Sequence, residues 1–246
     1  MRTIATLSLL AFEVLWEATR AGAVPYPFEI DQHGETVDER ARLKSAAHTD
    51  LERRGLARRG RPEPELEDAL GLLARPDLRV TALGMPSVDD GRLVRACVVA
   101  RGGYAVMAAQ ENQVITLNLV QGDELATALV GTLPPRHAGP GKPVTVPAST
   151  FDQQKPRQGT MQTVRGRETE DTKVVRAMLA PPMVGTGHFT ATHGKRQLPA
   201  VTWFDTTQGR YVSMPAGNDP NWITLAPADN QGLAQRLTQV LALTNR

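Results

Sequence analysis

Between residues 113 and 120 apolar and polar side chains alternate. Ile115, Leu117 and Leu119 face one way, Thr116 and Asn118 the other. A period of two is that of a half-buried strand. Beyond Gly122 the period lengthens: Leu125, Ala126, Leu129 and Leu133 recur at helical spacing. A helix over 123–133 follows, with Asp123 near its positive N-terminal end.

The same succession occurs a second time. Ile223, Thr224, Leu225, Leu233, Ala234, Leu237 and Leu241 match Ile115, Thr116, Leu117, Leu125, Ala126, Leu129 and Leu133, each 108 residues on. Gly103-Tyr104 to Met107 precedes the first copy; Gly209 to Tyr211 and Met214 precede the second. The unit is hairpin strand, turn, strand and helix, used twice. Internal repeats set architecture. Two related halves should build one pseudo-symmetric body, not an enzyme with a single deep pocket.

The remaining pattern fills in around the repeat. A strand over 3–7 precedes a helix over 9–20 capped by Ser8, with Leu9, Phe12, Leu15 and Trp16 on one face. Residues 23–34, with Pro25 and Pro27, read as extended. Helices fit 36–54 and 63–75, the second started by Pro62 and Pro64 and stopped by Pro76. Strands fit 77–84, 92–101, 104–110 and 113–120, with a tight turn at Gly102-Gly103. In the second half a helix over 170–180 precedes strands at 185–192, 198–205, 209–215 and 221–225. A last helix starts at Pro227. The fold class is α+β. The division is 1–134, then a Pro/Gly-rich connector over 135–169, then 170–246. Within the connector, 152–168 is expected to be mobile and Val144–Pro147 to form a strand edge.

Composition narrows the function. The net charge is only +2, with both signs mixed, so there is no basic stripe for nucleic acid. Arg53, Arg54, Arg58, Arg59 and Arg61 cluster, but Glu63, Glu65 and Glu67 follow; a solvated helix end and loop accounts for them. The single cysteine, Cys97, lies in an apolar run and reads as a buried strand thiol. Met1 to Ala23 has signal-peptide features, but Glu13 and Glu17 interrupt its apolar stretch, so it is read as mature structure. No run of eighteen apolar residues exists to span a membrane.

Catalytic chemistry finds little support. The five histidines lack metal-ligand spacing with a further ligand. His188 and His193 could meet across a hairpin. Gly139-Pro140-Gly141-Lys142 lacks the Ser/Thr and helix of a phosphate loop. Asp205 reads as a hairpin-flanking residue. No catalytic, cofactor or metal site is assigned. A hydrolase built from His188, His193 or Asp205 in the cleft between halves is the enzymatic alternative. Trp203, Phe204, Tyr211 and Trp222 belong to neighbouring strands, as sheet core or as partner anchors.

Several segments carry a family resemblance: Leu7-Ser8-Leu9 through Leu15-Trp16-Glu17, Arg40-Ala41-Arg42-Leu43, and Glu67-Asp68-Ala69-Leu70 through Leu73-Ala74-Arg75-Pro76. Ala100-Arg101-Gly102-Gly103, Gly139-Pro140-Gly141, and Trp203-Phe204-Asp205-Thr206 with Gly209-Arg210-Tyr211 complete the series. In this order, with the repeat, the chain resembles the EspG family of ESX (type VII) secretion-associated proteins of actinobacteria over residues 5–243. The resemblance implies a central antiparallel sheet flanked by helical bundles. It implies a non-enzymatic cytosolic chaperone, without cofactor, that binds the hydrophobic tip of a PE–PPE-like helical heterodimer. Met85, Val88 and Asp89, in the loop after the second-strand position, are then candidate contacts. Trp203, Trp222, Gln231 and Gln235, in the second-half sheet and last helix, are the others. A regulatory or scaffold component binding a non-PPE partner is the alternative, and edge-strand pairing to a homodimer remains open.

Overall fold

A computed structural model describes residues 1–152, 169–217 and 219–245. The expected mobile stretch falls, apart from residue 152, outside the described residues. The first half runs β1 (Arg2–Ser8), α1 (Leu9–Thr19), α2 (Val37–Arg53), β2 (Ala57–Arg58), β3 (Arg61–Pro62), α3 (Pro64–Ala74), β4 (Leu78–Met85), β5 (Val94–Arg101), β6 (Tyr104–Glu111), β7 (Val114–Val120) and α4 (Leu125–Val130). Then come β8 (Val144–Pro147), α5 (Ser149–Asp152), α6 (Glu170–Leu179), β9 (Met183–His193), β10 (Arg196–Gln197), β11 (Val201–Thr206), β12 (Gly209–Ala216), β13 (Asp219–Pro227) and α7 (Asn230–Leu241), with a 3-10 turn over Ala242–Asn245.

The protein is a mixed α/β fold around one large antiparallel sheet. Its strand order is β1-β7-β6-β5-β4-β9-β11-β12-β13-β8, with β10 paired to β9. The two halves meet where β4 pairs with β9, from Leu78 opposite His193 to Met85 opposite Thr186. Shifting β4, β5, β6 and β7 by 108 residues lands on β9, β11, β12 and β13. The repeat therefore becomes a quasi-twofold axis at the sheet centre, between Thr81/Ala82 and Phe189/Thr190.

Period-two burial places three cores. On one face β4, β5, β9 and β11 send Val80, Ala82, Val98, Phe189 and Trp203 against α4 and α7. On the other face of the first half, Cys97, Val106 and Leu117 pack under α1 and α3. On that face of the second half, Val146, Tyr211 and Leu225 pack under α6. Cys97 is wholly buried, and burial pushes its thiol pKa up to about 12. It is packing material.

The seam between the halves leaves little room beside the axis. A Cβ on Gly84 would lie 2.6 Å from the Gly187 Cα, and one on Gly187 would lie 2.7 Å from the Gly84 Cα. The Trp203 ring lies over both, 2.8–2.9 Å from either built Cβ. Only glycine lets the indole rest on the seam.

Three details depart from the sequence pattern, and one expected cap is present. The last helix starts at Asn230, because Asp229 caps it by accepting from the Gly232 N–H at 2.7 Å, while Pro227 completes β13 opposite Tyr211. The arginine-rich segment holds a miniature hairpin, β2–β3. β9 runs unbroken to His193 and turns at Gly194, so His188 and His193 share one strand. Five residues apart, they face opposite sides. Ser8 does cap α1, accepting from Ala11 N at 3.2 Å.

Both sheet edges are guarded. On β1 the register shifts between Thr3 and Ala5, and Arg54 donates to the Thr6 carbonyl. β8 is short, preceded by Pro143 and ended by Pro147. Such features discourage strand addition by a second copy.

Charge holds α2 to α1. Arg40 pairs with Glu13 at 2.8 Å and with Glu17; Lys44 pairs with Glu17; His33 Nδ1 lies 2.8 Å from Glu13. Burial pushes the Glu13 carboxyl up, but hydrogen bonds from Arg40 and His33 outweigh it and hold its pKa below the ordinary 4.5. Hydrogen bonding from Lys44 is the main cause that lowers Glu17.

Two outcomes are expected. Gly187→Ala should cost about 1–3 kcal/mol of stability in urea unfolding, by overpacking the seam. For the clasp, lowered folded pKa values mean the stabilisation is full above the ordinary carboxyl value and lost as pH falls through the folded ones. Glu13→Gln/Glu17→Gln should therefore flatten the acid limb of a stability–pH profile while lowering stability at neutral pH.

Candidate partner-binding surface

One end of the sheet gathers the apolar surface. Met85 ends β4, and Val88 in the following loop donates its N–H to the Val184 carbonyl at 2.8 Å. The loop is thus tied to the start of β9. That start, Met183, pairs with Thr206 at the end of β11. The end of β13 lies at this end too, beside the start of β12, and α7 begins just beyond. Leu93 before β5 and Val114 at the start of β7 lie on the same rim. Val88 is 50% exposed, Met183 53%, Val114 37% and Leu93 36%. Half of the exposed large apolar side chains among the described residues therefore stand at this one end.

The rim continues onto an uncharged helical layer. A depression lined by Leu93, Ala109, Gly131 and Thr132, and by the charged Arg92, Arg95 and Glu111, meets, at Gly131, a groove between α4 and α7. The groove is lined by Thr127, Val130, Gln231, Ala234 and Gln235 among others. Gln231, Gln235 and Gln239 form an exposed stripe at four-residue spacing. α4 carries no charge and α7 only Arg236, whereas α2 carries eight acidic or basic residues. Depletion of charge distinguishes interface cores from ordinary surface.

The candidate residues divide accordingly. Met85 is half-buried at the rim; Val88 and Asp89 are exposed there; Gln231 and Gln235 are exposed along the groove. Trp203 is 1% exposed and touches no surface, because its ring is needed over the glycine seam. Trp222 is 44% exposed but pairs with Pro147 at the opposite end of the sheet. Neither joins the surface. The alternation of β11 already separated Trp203 from solvent-facing Thr202. The rim residues Leu93, Val114 and Met183 and the charge-free α4 escaped notice, though the missing charges are plain in the sequence.

A model of the EspG family matches residues 8–239. The chain belongs to the EspG family. A search of curated protein sequences gives no match. Among solved structures, this EspG protein is similar to the Mycobacterium tuberculosis type VII secretion system chaperone EspG5, determined in complex with a PE25–PPE41 dimer. The TM-score is 0.67 at 14% identity, covering 96% of this chain and 95% of the other. At that identity the likeness speaks for the fold.

The segment Trp203–Thr206 with Gly209–Tyr211, one of those that carried the family resemblance, builds the floor behind the surface. Asp205 and Arg210 face each other across the β11–β12 hairpin and are fully buried. Arg210 Nε and Nη2 donate to the two Asp205 oxygens at 2.7 and 2.9 Å. Its Nη1 donates to Asn230 Oδ1 at 2.7 Å, and Nη2 also reaches the Pro134 carbonyl at 3.2 Å. Arg136 Nε lies 3.2 Å from Asp205. The guanidinium stacks over Trp203 at 5.3 Å. The network fastens the exit of α4 and the first turn of α7 to the sheet. Asp205 is therefore an ion-pair partner, and the hydrolase constellation falls apart: Asp205 lies on the face opposite His188, three positions along the ladder. Among the described residues no three His, Cys, Asp or Glu side chains group to hold a metal.

Removing one partner of a buried pair strands the other charge. Arg210→Ala should cost about 3–5 kcal/mol in urea unfolding, and the Asp205→Ala/Arg210→Ala double variant should lose less than the sum of the singles.

Proposed function

We propose that this EspG protein is a non-enzymatic chaperone of type VII secretion, working in the cytosol. It binds the hydrophobic tip of a PE–PPE-like helical heterodimer and keeps it soluble for export. The observation that carries this reading is an apolar rim that meets, across a depression bridged by the Arg92–Glu111 ion pair, an uncharged helical groove. Family membership over nearly the whole chain and the fold shared with EspG5, captured with a PE25–PPE41 dimer, support it.

The physical task matches the surface. An exposed apolar helical tip self-associates. A rim of Val88, Leu93, Val114 and Met183 covers such a patch, and the Gln231–Gln235–Gln239 stripe supplies amides that donate to or accept from a helix end without desolvating a charge. Met85, Val88, Asp89, Gln231 and Gln235 are the contacts we assign. No helix among the described residues is long and apolar enough to cross a membrane.

Coexpression with a PE–PPE pair from the same genome should give a stoichiometric complex on size exclusion. Val88→Asp and Gln235→Glu should each weaken it at least about tenfold by calorimetry, whereas Trp222→Ala should leave affinity unchanged. A heterodimer that stays apart from the parent protein, or binds Val88→Asp as tightly, would reject the assignment.

A further inference from the structure

The β2–β3 hairpin has a chemistry that the client surface does not use. It is built, not frayed. Leu56 N–H donates to the Leu51 carbonyl and Glu63 N–H to the Leu56 carbonyl, both at 2.9 Å. Ala57 is 4% exposed in the core beneath α1 and α3. Gly60 N–H donates to Glu52 Oε1 at 3.0 Å. On this anchored turn Arg58, Arg59 and Arg61 are all exposed.

These three arginines differ from their neighbours. Arg53 and Arg54 pair with Asp50, and Arg2 pairs with Glu65. Arg58, Arg59 and Arg61 have no ion pair or side-chain hydrogen bond among the described residues. Arg59 also sits at φ 51°, in the left-handed region, beside Gly60 at φ 75°. That conformation suits glycine or asparagine and strains arginine. Such strain is typically retained at functional positions. Like charges crowded at a turn repel each other, so the free protein is destabilised by the very feature that presents them.

We infer that this hairpin is a second docking point, independent of the client surface, which takes an acidic peptide segment of a partner protein. Guanidinium forks engage carboxylates in bidentate fashion. The width of the patch selects a peptide over an extended polyanion. Glu52, Glu63, Glu67 and Asp68 flank the turn in sequence, and the net charge is only +2. A bilayer or a duplex laid against this region would meet those acids as well; a narrow acidic segment meets the three arginines with only Glu52 beside them, its carboxylate already engaged by the Gly60 N–H. The hairpin packs with α1–α3, on the opposite side of the sheet from α4 and α7.

The test is fluorescence anisotropy of a labelled oligo-glutamate peptide titrated with the full chain. Saturable binding that weakens with added salt is expected. Arg58→Gln/Arg59→Gln/Arg61→Gln should reduce affinity at least about tenfold with a melting temperature that holds or rises, since the repulsion at the turn is relieved. Arg59→Asn separates function from folding: affinity should fall while the melting temperature holds or rises, because asparagine tolerates the left-handed region. Equal binding by the triple variant, no binding by the parent, or binding only to phosphatidylglycerol vesicles or duplex DNA would each overturn the proposal.

Discussion

The pairing of β4 with β9 is the constraint on which the rest of the molecule depends. It joins two half-sheets into one, and it does so with glycine facing glycine, so close that neither position admits a methyl group. The space released above the seam is filled by the Trp203 ring, and the ring in turn supports the guanidinium of Arg210. From there the buried Asp205–Arg210–Asn230 network reaches the exit of α4 and the start of α7. A chain of contacts thus leads from the seam between the halves to the groove that we assign to the client. Nothing in that chain needs catalysis; everything in it fixes the position of two helices.

Much of this was legible in the sequence, and the reasons differ by element. The alternation at 113–120 and its echo 108 residues later revealed strands, helices and their duplication, because burial imposes periods of two and 3.6 on any chain. Ser8 as a cap was equally plain. Other features were hidden by competing local signals. Pro227 looks like a helix start until Asp229, two residues on, is seen to hold the first-turn N–H. The Arg53–Arg61 stretch reads as a solvated helix end, since a two-residue ladder leaves no periodicity to detect. Trp203 is ambiguous because a large aromatic on a strand serves core or interface alike; the glycines opposite it decide the matter, and they are far away in sequence.

The candidate contacts differ in exposure according to where their side chains have to point. Val88, Asp89, Gln231 and Gln235 lie in a loop and on the outer stripe of a helix, positions that the fold leaves free. Leu93, Val114 and Met183 are strand-end residues, each unremarkable alone. Only the strand order places them on one rim, and strand order comes from pairing partners distant along the chain.

The duplication has a further consequence for the number of clients a single chain can hold. A true twofold would offer equivalent ends, and a protein with two adhesive ends cross-links its cargo. Here the quasi-equivalents have parted. Val88 corresponds to Arg196 and Met183 to Arg75; Leu93 corresponds to the buried Val201, and only Val114 keeps an exposed apolar counterpart, in Trp222. The far end is charged, with Arg101 near Asp77 across the turns. On the proposed reading the divergence makes the protein monovalent. It can sequester an aggregation-prone partner without bridging two of them, which is what separates a chaperone from a glue.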